Sequence, residues 1–342
     1  MTTRPTIADV AREAGVSKGL VSFALNDRPG VAAETRDRIL SVANALGWRP
    51  SVRARSLSTD RSFALGLVIA RDPEIISSDP FFPAFIAGIE GALAPAGQAL
   101  VVSMVSNEEA EVASYRQLAA HDRVDGVILT DLRRNDPRIA LLEGLRLKAV
   151  TLGHPDVESS FPAVAVDDGP GIRSAVEHLA ELGHRRIAHV AGPSSMLHGD
   201  RRSRSFVDAL RGLGLASELV VETDFSAAGG AETTAALLDL DEPPTAIVFA
   251  NDLMAIAGLG VAQRRGLRVP DDLSITGFDG SDIGAYLYPS LTTVTTPVLE
   301  WGRAAAELLL KSVIGDDDVH DIELPAAQLL VRMSTAPPRT IR

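Results

Sequence analysis

From Ala64 onward the sequence alternates short apolar runs with longer stretches of helical periodicity, and this alternation limits the fold more than any other feature. The runs are residues 64–69, 99–104, 126–130, 149–152, 163–166, 186–190, 246–250 and 274–278. Apolar runs this short, each followed by a helix-length segment, describe parallel strands buried on both faces. About ten such strands exceed one small sheet, so two Rossmann-like subdomains with a cleft between them are expected. Ligands of open parallel sheets sit beyond the carboxyl ends of the strands. Polar residues at those ends are Asp167, Asp168, Asn251, Asp252 and Asp279, and the arginine-rich segment Asp200–Phe206 opens a helix nearby. Acids and arginines gathered from several strand ends can clamp sugar hydroxyls or the edge of a purine. The plainer readings are that Asp168 and Asp252 cap helices and that Arg202 makes a surface ion pair.

The N-terminal segment has a different pattern. Ile7, Val10, Ala11 and Ala14 recur at helical spacing, Thr6 is a ready N-cap, and Asp9 three residues later completes a box-like start. Gly15 can end this helix in the left-handed conformation, and Ser17 can cap the next, which runs from about Lys18 to Asn26. Val21, Ala24 and Leu25 face inward with Val16, leaving Ser17, Lys18, Gly19, Ser22 and Phe23 outward. A third helix, about Ala33 to Leu46, adds Ile39, Ala43 and Leu46 to the same core. Three helices with so tight a first turn form a helix-turn-helix unit, whose second helix lies in the DNA major groove. A three-helix bundle that binds another protein is the competing reading.

The segment Trp48–Ser58 weighs against that alternative, because beyond Trp48 it is basic and carries one large apolar residue, Leu57. In a minor-groove binder an apolar wedge parts a base step while neighbouring arginines meet phosphates. Charge is distributed accordingly. The whole chain has 33 Lys+Arg against 45 Asp+Glu, but residues 1–61 hold 10 against 6, leaving 23 against 39 for the remainder. A basic module on an acidic body suits a DNA-binding head on a sensor domain.

Several functions are excluded or disfavoured. There is no cysteine, which rules out disulfides, thiolate metal sites and cysteine nucleophiles. Histidines 121, 178, 184, 189, 198 and 320 lack metal spacing, and no cofactor is expected. The glycine pairs Gly212/Gly214 and Gly258/Gly260 do not join a strand to a helix, and no phosphate-binding loop or nucleophile elbow is present, so the chain does not read as an enzyme. No apolar run is long enough to span a membrane, and the start of the chain lacks a signal-peptide pattern, so a cytoplasmic protein is expected.

Residues 6–26, 31–46, the Pro50-Ser51 and Ala54–Leu57 hinge, and the body segments 124–128, 182–187, 250–252, 266–275 and 289–294 resemble the lactose/galactose repressor (LacI/GalR) family of transcriptional regulators. The resemblance covers nearly the whole chain. It implies an all-α helix-turn-helix headpiece followed by a periplasmic-binding-protein-like α/β body of two Rossmann-like subdomains. It places Lys18, Gly19 and Phe23 at base-reading positions and Thr6, Ser17, Ser22, Asn26, Thr35 and Ser51 at the DNA backbone. In the hinge, Ala54 and Leu57 would meet the minor groove, with Leu57 in the central step. Effector-site residues map onto Phe82, Gly153 or His154, Arg202, Phe225, Asn251 and Asp279. Phe225 can equally be a core residue, and His154 a rim residue.

The chain departs from the family at Phe23, where arginine is usual, at Leu20, where threonine is frequent, and at Ala32, where serine is usual. A phenyl ring offers only apolar contact, for example to a thymine methyl, in place of a bidentate contact to guanine; it can also pack against the hinge instead. The expected domain plan is a headpiece at 1–49, a hinge at 50–61 and a body at 62–342. Within the body, subdomain one takes about 62–162 and 293–322, and subdomain two about 163–292 and 323–342. The partners implied are a double-stranded DNA operator, pseudopalindromic because one headpiece makes too few contacts, a second copy of the chain, and a small-molecule effector. A sugar is favoured for the effector and a purine or nucleoside co-repressor is the alternative; no membrane partner is expected. The apolar helix beginning Phe82–Ile89 is the expected dimer contact.

Overall fold

The computed structural model describes residues 5–25, 29–48, 59, 61–316 and 318–339. The chain divides into two compact units, Met1–Phe63 and Ala64–Arg342.

In the first unit, helix α1 (Ile7–Ala14) starts where the Asp9 carboxylate accepts from the Thr6 backbone N–H at 2.9 Å and from its hydroxyl at 2.7 Å. These bonds hold the Asp9 carboxyl down at about 2. Gly15 ends the helix at φ 67°, a conformation that costs glycine nothing. Ser17 Oγ then accepts from Leu20 N at 3.2 Å and starts α2 (Lys18–Leu25); α3 (Ala33–Ala45) follows. Val10, Ala11, Ala14, Val21, Ala24, Ile39 and Ala43 form the buried centre. Trp48 packs on its edge, so part of the basic segment belongs to this core.

The second unit begins with β1 (Ala64–Ala70), α4 (Pro73–Ser78), α5 (Phe81–Leu93), β2 (Ala99–Val105), α6 (Glu108–Ala120), β3 (Gly126–Leu129), α7 (Pro137–Gly144), β4 (Lys148–Leu152) and β5 (Ala163–Val166). The chain then crosses to a second lobe. There it makes α8 (Gly169–Glu181), β6 (Ile187–Ala191), α9 (Leu197–Gly212), β7 (Val220–Glu222), α10 (Ala227–Leu238), β8 (Ala246–Phe249), α11 (Asp252–Arg264), β9 (Ser274–Asp279) and β10 (Thr292–Thr295). It returns as α12 (Val298–Ile314) and β11 (Ile322–Leu324) and crosses once more to end on β12 (Gln328–Leu330). The first sheet has the order β11-β5-β4-β3-β1-β2, all parallel. The second has the order β12-β10-β9-β8-β6-β7, antiparallel at β10–β12 and parallel elsewhere.

The crossings differ from the expected subdomain limits by a strand each time. The apolar run 163–166 pairs with β4 and stays in the first lobe, the strand 292–295 pairs with β9 in the second, and 322–324 returns to pair with β5. Apolar content alone does not say which sheet a buried strand joins, since either sheet buries it on both faces.

Helices cover both faces of the first sheet. Leu65, Leu67 and Ile69 of β1 point to the face under α5 and α12, whereas Ala64 and Val68 point to the face under α6 and α7. Helices α5 and α12 cross so closely that a Cβ on Gly88 would lie 2.0 Å from the Leu299 carbonyl oxygen, and one on Gly302 2.2 Å from that of Phe85. Phe82, Phe85 and Ile89 are therefore buried inside this lobe, and the helix keeps Pro83, Ala87 and Glu90 exposed on its outer face.

Candidate functional site

The carboxyl ends of both sheets open on one cavity. The first lobe supplies Arg71 after β1, Thr130 and Asp131 after β3, and Gly153 and His154 after β4, with Asp79, Phe81 and Trp301 from its helical segments. The second supplies His198, Arg201 and Arg202 from the first turns of α9, Phe225, Asn251 after β8, and Asp279 closing β9. Asp131, Phe225 and Asp279 hang from a backbone at φ 51°, 70° and 102°. Non-glycine residues are rare there, and such strain gathers at binding sites.

The cations of this cavity are matched to carboxylates. Arg71 donates Nε and Nη2 to the two oxygens of Asp131 at 2.7 and 2.6 Å, a bidentate pair. Burial opposes ionisation of Asp131, but the Arg71 guanidinium more than offsets this and holds the carboxyl well below its usual range. The same guanidinium lies over the rings of Phe82 (5.3 Å) and Phe225 (5.2 Å). Arg201 and Arg202 converge on Asp168, and Arg202 also donates to the Ala250 carbonyl at 2.7 Å and lies 3.6 Å from the Phe278 ring centroid. Asp168 sits at the head of α8 without a capping bond, so its role is to hold these arginines.

Asp279 is the exception. Its nearest cation is Arg202 Nη2 at 4.0 Å, and its carboxylate makes no hydrogen bond to a described residue. Burial pushes its carboxyl well above the ordinary value, with nearby Asp79 adding to the effect. Asp79 is likewise raised by burial, although it accepts from Phe81 N at 3.0 Å. His198 stacks on Phe225 at 5.4 Å, and burial lowers it to about 3, so the ring is neutral at ordinary pH.

Of the expected effector residues, Arg202, Phe225, Asn251, Asp279 and the rim residue His154 line the cavity. His154 faces Glu323 at 2.5 Å and is half exposed. Asn251 caps α11, accepting from Met254 N, and donates Nδ2 to the Phe225 carbonyl at 3.0 Å, so it positions Phe225. Phe82 is corrected: it is 1% exposed in the first-lobe core, and its neighbour Phe81, edge-on to Trp301, takes the wall. Asp252 turns away from the cavity and accepts from Ser281 and Thr293. Sequence reasoning missed Arg71 and Asp131, although each directly follows an apolar run and the strand-end rule reaches both. Asp79, Phe81 and Trp301 come from helical segments that carry no such signal.

On the headpiece, Lys18, Gly19 and Phe23 are exposed on α2, as are Thr6 and Ser17, while Ser22 and Thr35 are half-buried. Among the described residues a Cβ on Gly19 would meet only Ser17 Oγ, at 3.9 Å, so their packing does not require glycine there. Asn26, Ser51, Ala54 and Leu57 lie outside the described residues.

Residues 6–51 match the family described as bacterial regulatory proteins, lacI family, and residues 176–335 match the periplasmic binding protein-like domain. Over 339 residues the chain is 33% identical to the HTH-type transcriptional repressor CytR of Escherichia coli (strain K12), covering 97% of each. Over 321 residues it is 33% identical to the HTH-type transcriptional regulator CelR of Thermobifida fusca, covering 92% of this chain and 93% of the other. Among solved structures it is similar to a CelR–cellobiose complex (TM-score 0.74, 31% identity, 97% of this chain and 100% of that one). It is also similar to the lac repressor dimer bound to operator and the anti-inducer ONPF (TM-score 0.82, 29% identity, 98% and 100%). Headpiece and cleft together define a DNA-binding transcriptional regulator with a two-lobed, ligand-responsive body. The chain belongs to the lacI family of bacterial regulatory proteins.

Proposed function

We propose that this chain represses transcription as a homodimer on a pseudopalindromic operator, and that a neutral, hydroxyl-rich molecule, a sugar or related polyol, binds between its lobes as effector. The observation that carries the effector reading is the charge balance of the cavity. Arg71, Arg201 and Arg202 are each matched to a carboxylate, and the group left wanting partners is the acceptor Asp279. Such a site has no surplus cation for a phosphate or carboxylate ligand, whereas hydroxyl donors complete Asp279. The CelR relative, solved with cellobiose, supports the same class.

Arg202, Phe225, Asn251, Asp279 and His154 would contact or frame the effector, joined by Arg71, Asp131, Phe81 and Trp301. On the operator side Lys18, Gly19 and Phe23 would face bases, and Thr6, Ser17, Ser22, Asn26, Thr35 and Ser51 the backbone, with Ala54 and Leu57 in the minor groove. A second copy has exposed apolar side chains to cover: Val102 and Met104 on the edge strand β2, and Ile283, Tyr286 and Tyr288. An uncovered sheet edge carrying apolar groups is what association hides.

Thermal-shift screening of the full chain against monosaccharides, disaccharides, polyols and nucleosides tests the effector. A ligand at about 100 times its Kd stabilises by about 2.7 kcal/mol. Stabilisation by a sugar or polyol is expected; stabilisation by nucleosides alone, or by nothing in the set, overturns the sugar reading.

A further inference from the structure

The two lobes are joined by three chain crossings, and segments so connected move against each other unless something else ties them. A tie is present on the cleft itself, where no crossing runs. Leu197 N donates to the Leu132 carbonyl at 2.8 Å and Arg134 N to the Ser195 carbonyl at 3.0 Å, with Arg133 and Met196 bridged in antiparallel sense. The segment 132–134 follows β3 of the first lobe, and 195–197 leads into α9 of the second. Consecutive side chains pack in opposite directions: Met196 lies on the core of its own lobe, whereas Leu197 is packed into the cluster of Leu132, Ile139 and Leu142 in the other. An ion pair, Arg134–Asp200 at 3.0 Å, lies alongside.

The receiving loop is built to stay in place. Arg138, 1% exposed, pairs with Glu111 and Asp136 and donates to the Asp131 carbonyl at 2.8 Å, while Asp136 accepts from Arg133 N at 2.9 Å. Both halves of the tie also deliver cavity residues. Asp131 immediately precedes Leu132, and His198 immediately follows Leu197.

We propose that Leu197 is a latch between the lobes: its side chain and backbone N–H hold the cleft closed, position His198, Arg201 and Arg202 against Arg71 and Asp131, and set how long an effector stays bound. The part concerning the effector rests on the function proposed above. The closure itself does not. Met196 stands at ψ 130° and Leu197 is the first residue of α9, so proline at 197 fits the local backbone while removing the N–H donor together with the leucine side chain.

The chain has no cysteine, so spin labels can be placed on the exposed residues Glu109 and Glu232, one on each lobe, through Glu109→Cys and Glu232→Cys. Pulsed electron-electron resonance on the unliganded full chain then reads the distance between lobes. Leu197→Ala is expected to raise the population of a longer-distance component about tenfold, the factor that a few methylenes of lost burial supply. Leu197→Pro should raise it as well, and Leu197→Met should restore the wild-type distribution. With an effector in hand, Leu197→Ala should release it faster with little change in the rate of entry. Unchanged distance distributions in both Leu197→Ala and Leu197→Pro overturn the latch, whatever the effector screen finds. Release rates unchanged in a visibly opened variant overturn its link to effector residence and leave closure standing.

Discussion

Asp279→Asn separates the two roles assigned to this carboxylate. Asp279 is largely buried at a strained strand end, its carboxylate takes no hydrogen bond from a described residue, and burial raises its carboxyl. A carboxyl raised in the folded state contributes stability that is fully present below its unfolded value, about 3.8, and is lost as pH rises through the higher folded value. The amide does not titrate. At neutral pH the variant should thus be at least as stable as the wild type, and a gain of about 1 kcal/mol would raise Tm by about 2–4 °C. Effector binding should move the other way. A hydrogen bond to a charged acceptor contributes about 1.5–3 kcal/mol against about 0.5–1.5 for a neutral one, so the variant should lose about 5- to 12-fold in affinity. Wild-type binding should also tighten as pH rises and the carboxylate ionises, whereas the variant should show a flat profile. Calorimetric titration of an effector between about pH 5 and 8, the range in which proteins are most stable, measures this, with thermal melts of the unliganded forms beside it. An Asn variant that binds the effector as tightly as the wild type, with the same pH profile, refutes the assignment of Asp279 as the ligand's acceptor.

Three further outcomes follow from the packing. Gly19→Ala should stabilise the headpiece by up to about 0.5–1 kcal/mol, since nothing nearby requires glycine; operator binding that falls while the headpiece melts higher would show that glycine serves close approach to DNA, and unchanged binding would remove that role. Gly88→Val should destabilise the body by more than about 2 kcal/mol in denaturant melts, because its Cβ would strike the Leu299 carbonyl. His198→Phe keeps a ring on Phe225 but removes a histidine that burial lowers to about 3; a neutral buried histidine costs stability as pH falls from its unfolded value of about 6.5 toward that figure, so the variant's stability should decline less over that range in acid melts.

The headpiece was legible residue by residue, because local signals specify it: the Thr6/Asp9 box, the left-handed Gly15 and the Ser17 cap all form as the spacing predicts. The body was legible as a class but not in its joins. Strands 163–166, 292–295 and 322–324 sit near the lobe crossings, and which sheet each joins is decided by pairing partners distant in sequence. The cavity was half legible. Strand ends of the second lobe gave Asn251 and Asp279, whereas Phe81 was mistaken for its neighbour Phe82 because both lie in the first turn of one apolar helix and only the helix's rotation against the sheet tells them apart. Leu197 gave no signal at all, since an apolar residue at a helix start reads as core of its own lobe.

On the function proposed above, one chain couples a cleft ligand to operator binding. The direct measurement is a linkage titration on the full chain, with operator affinity determined with and without an effector that stabilises the body, and effector affinity determined with and without operator. Such coupling should change the two affinities by the same factor, roughly 5- to 150-fold. Specific operator binding that an effector-saturated body leaves unchanged would contradict it.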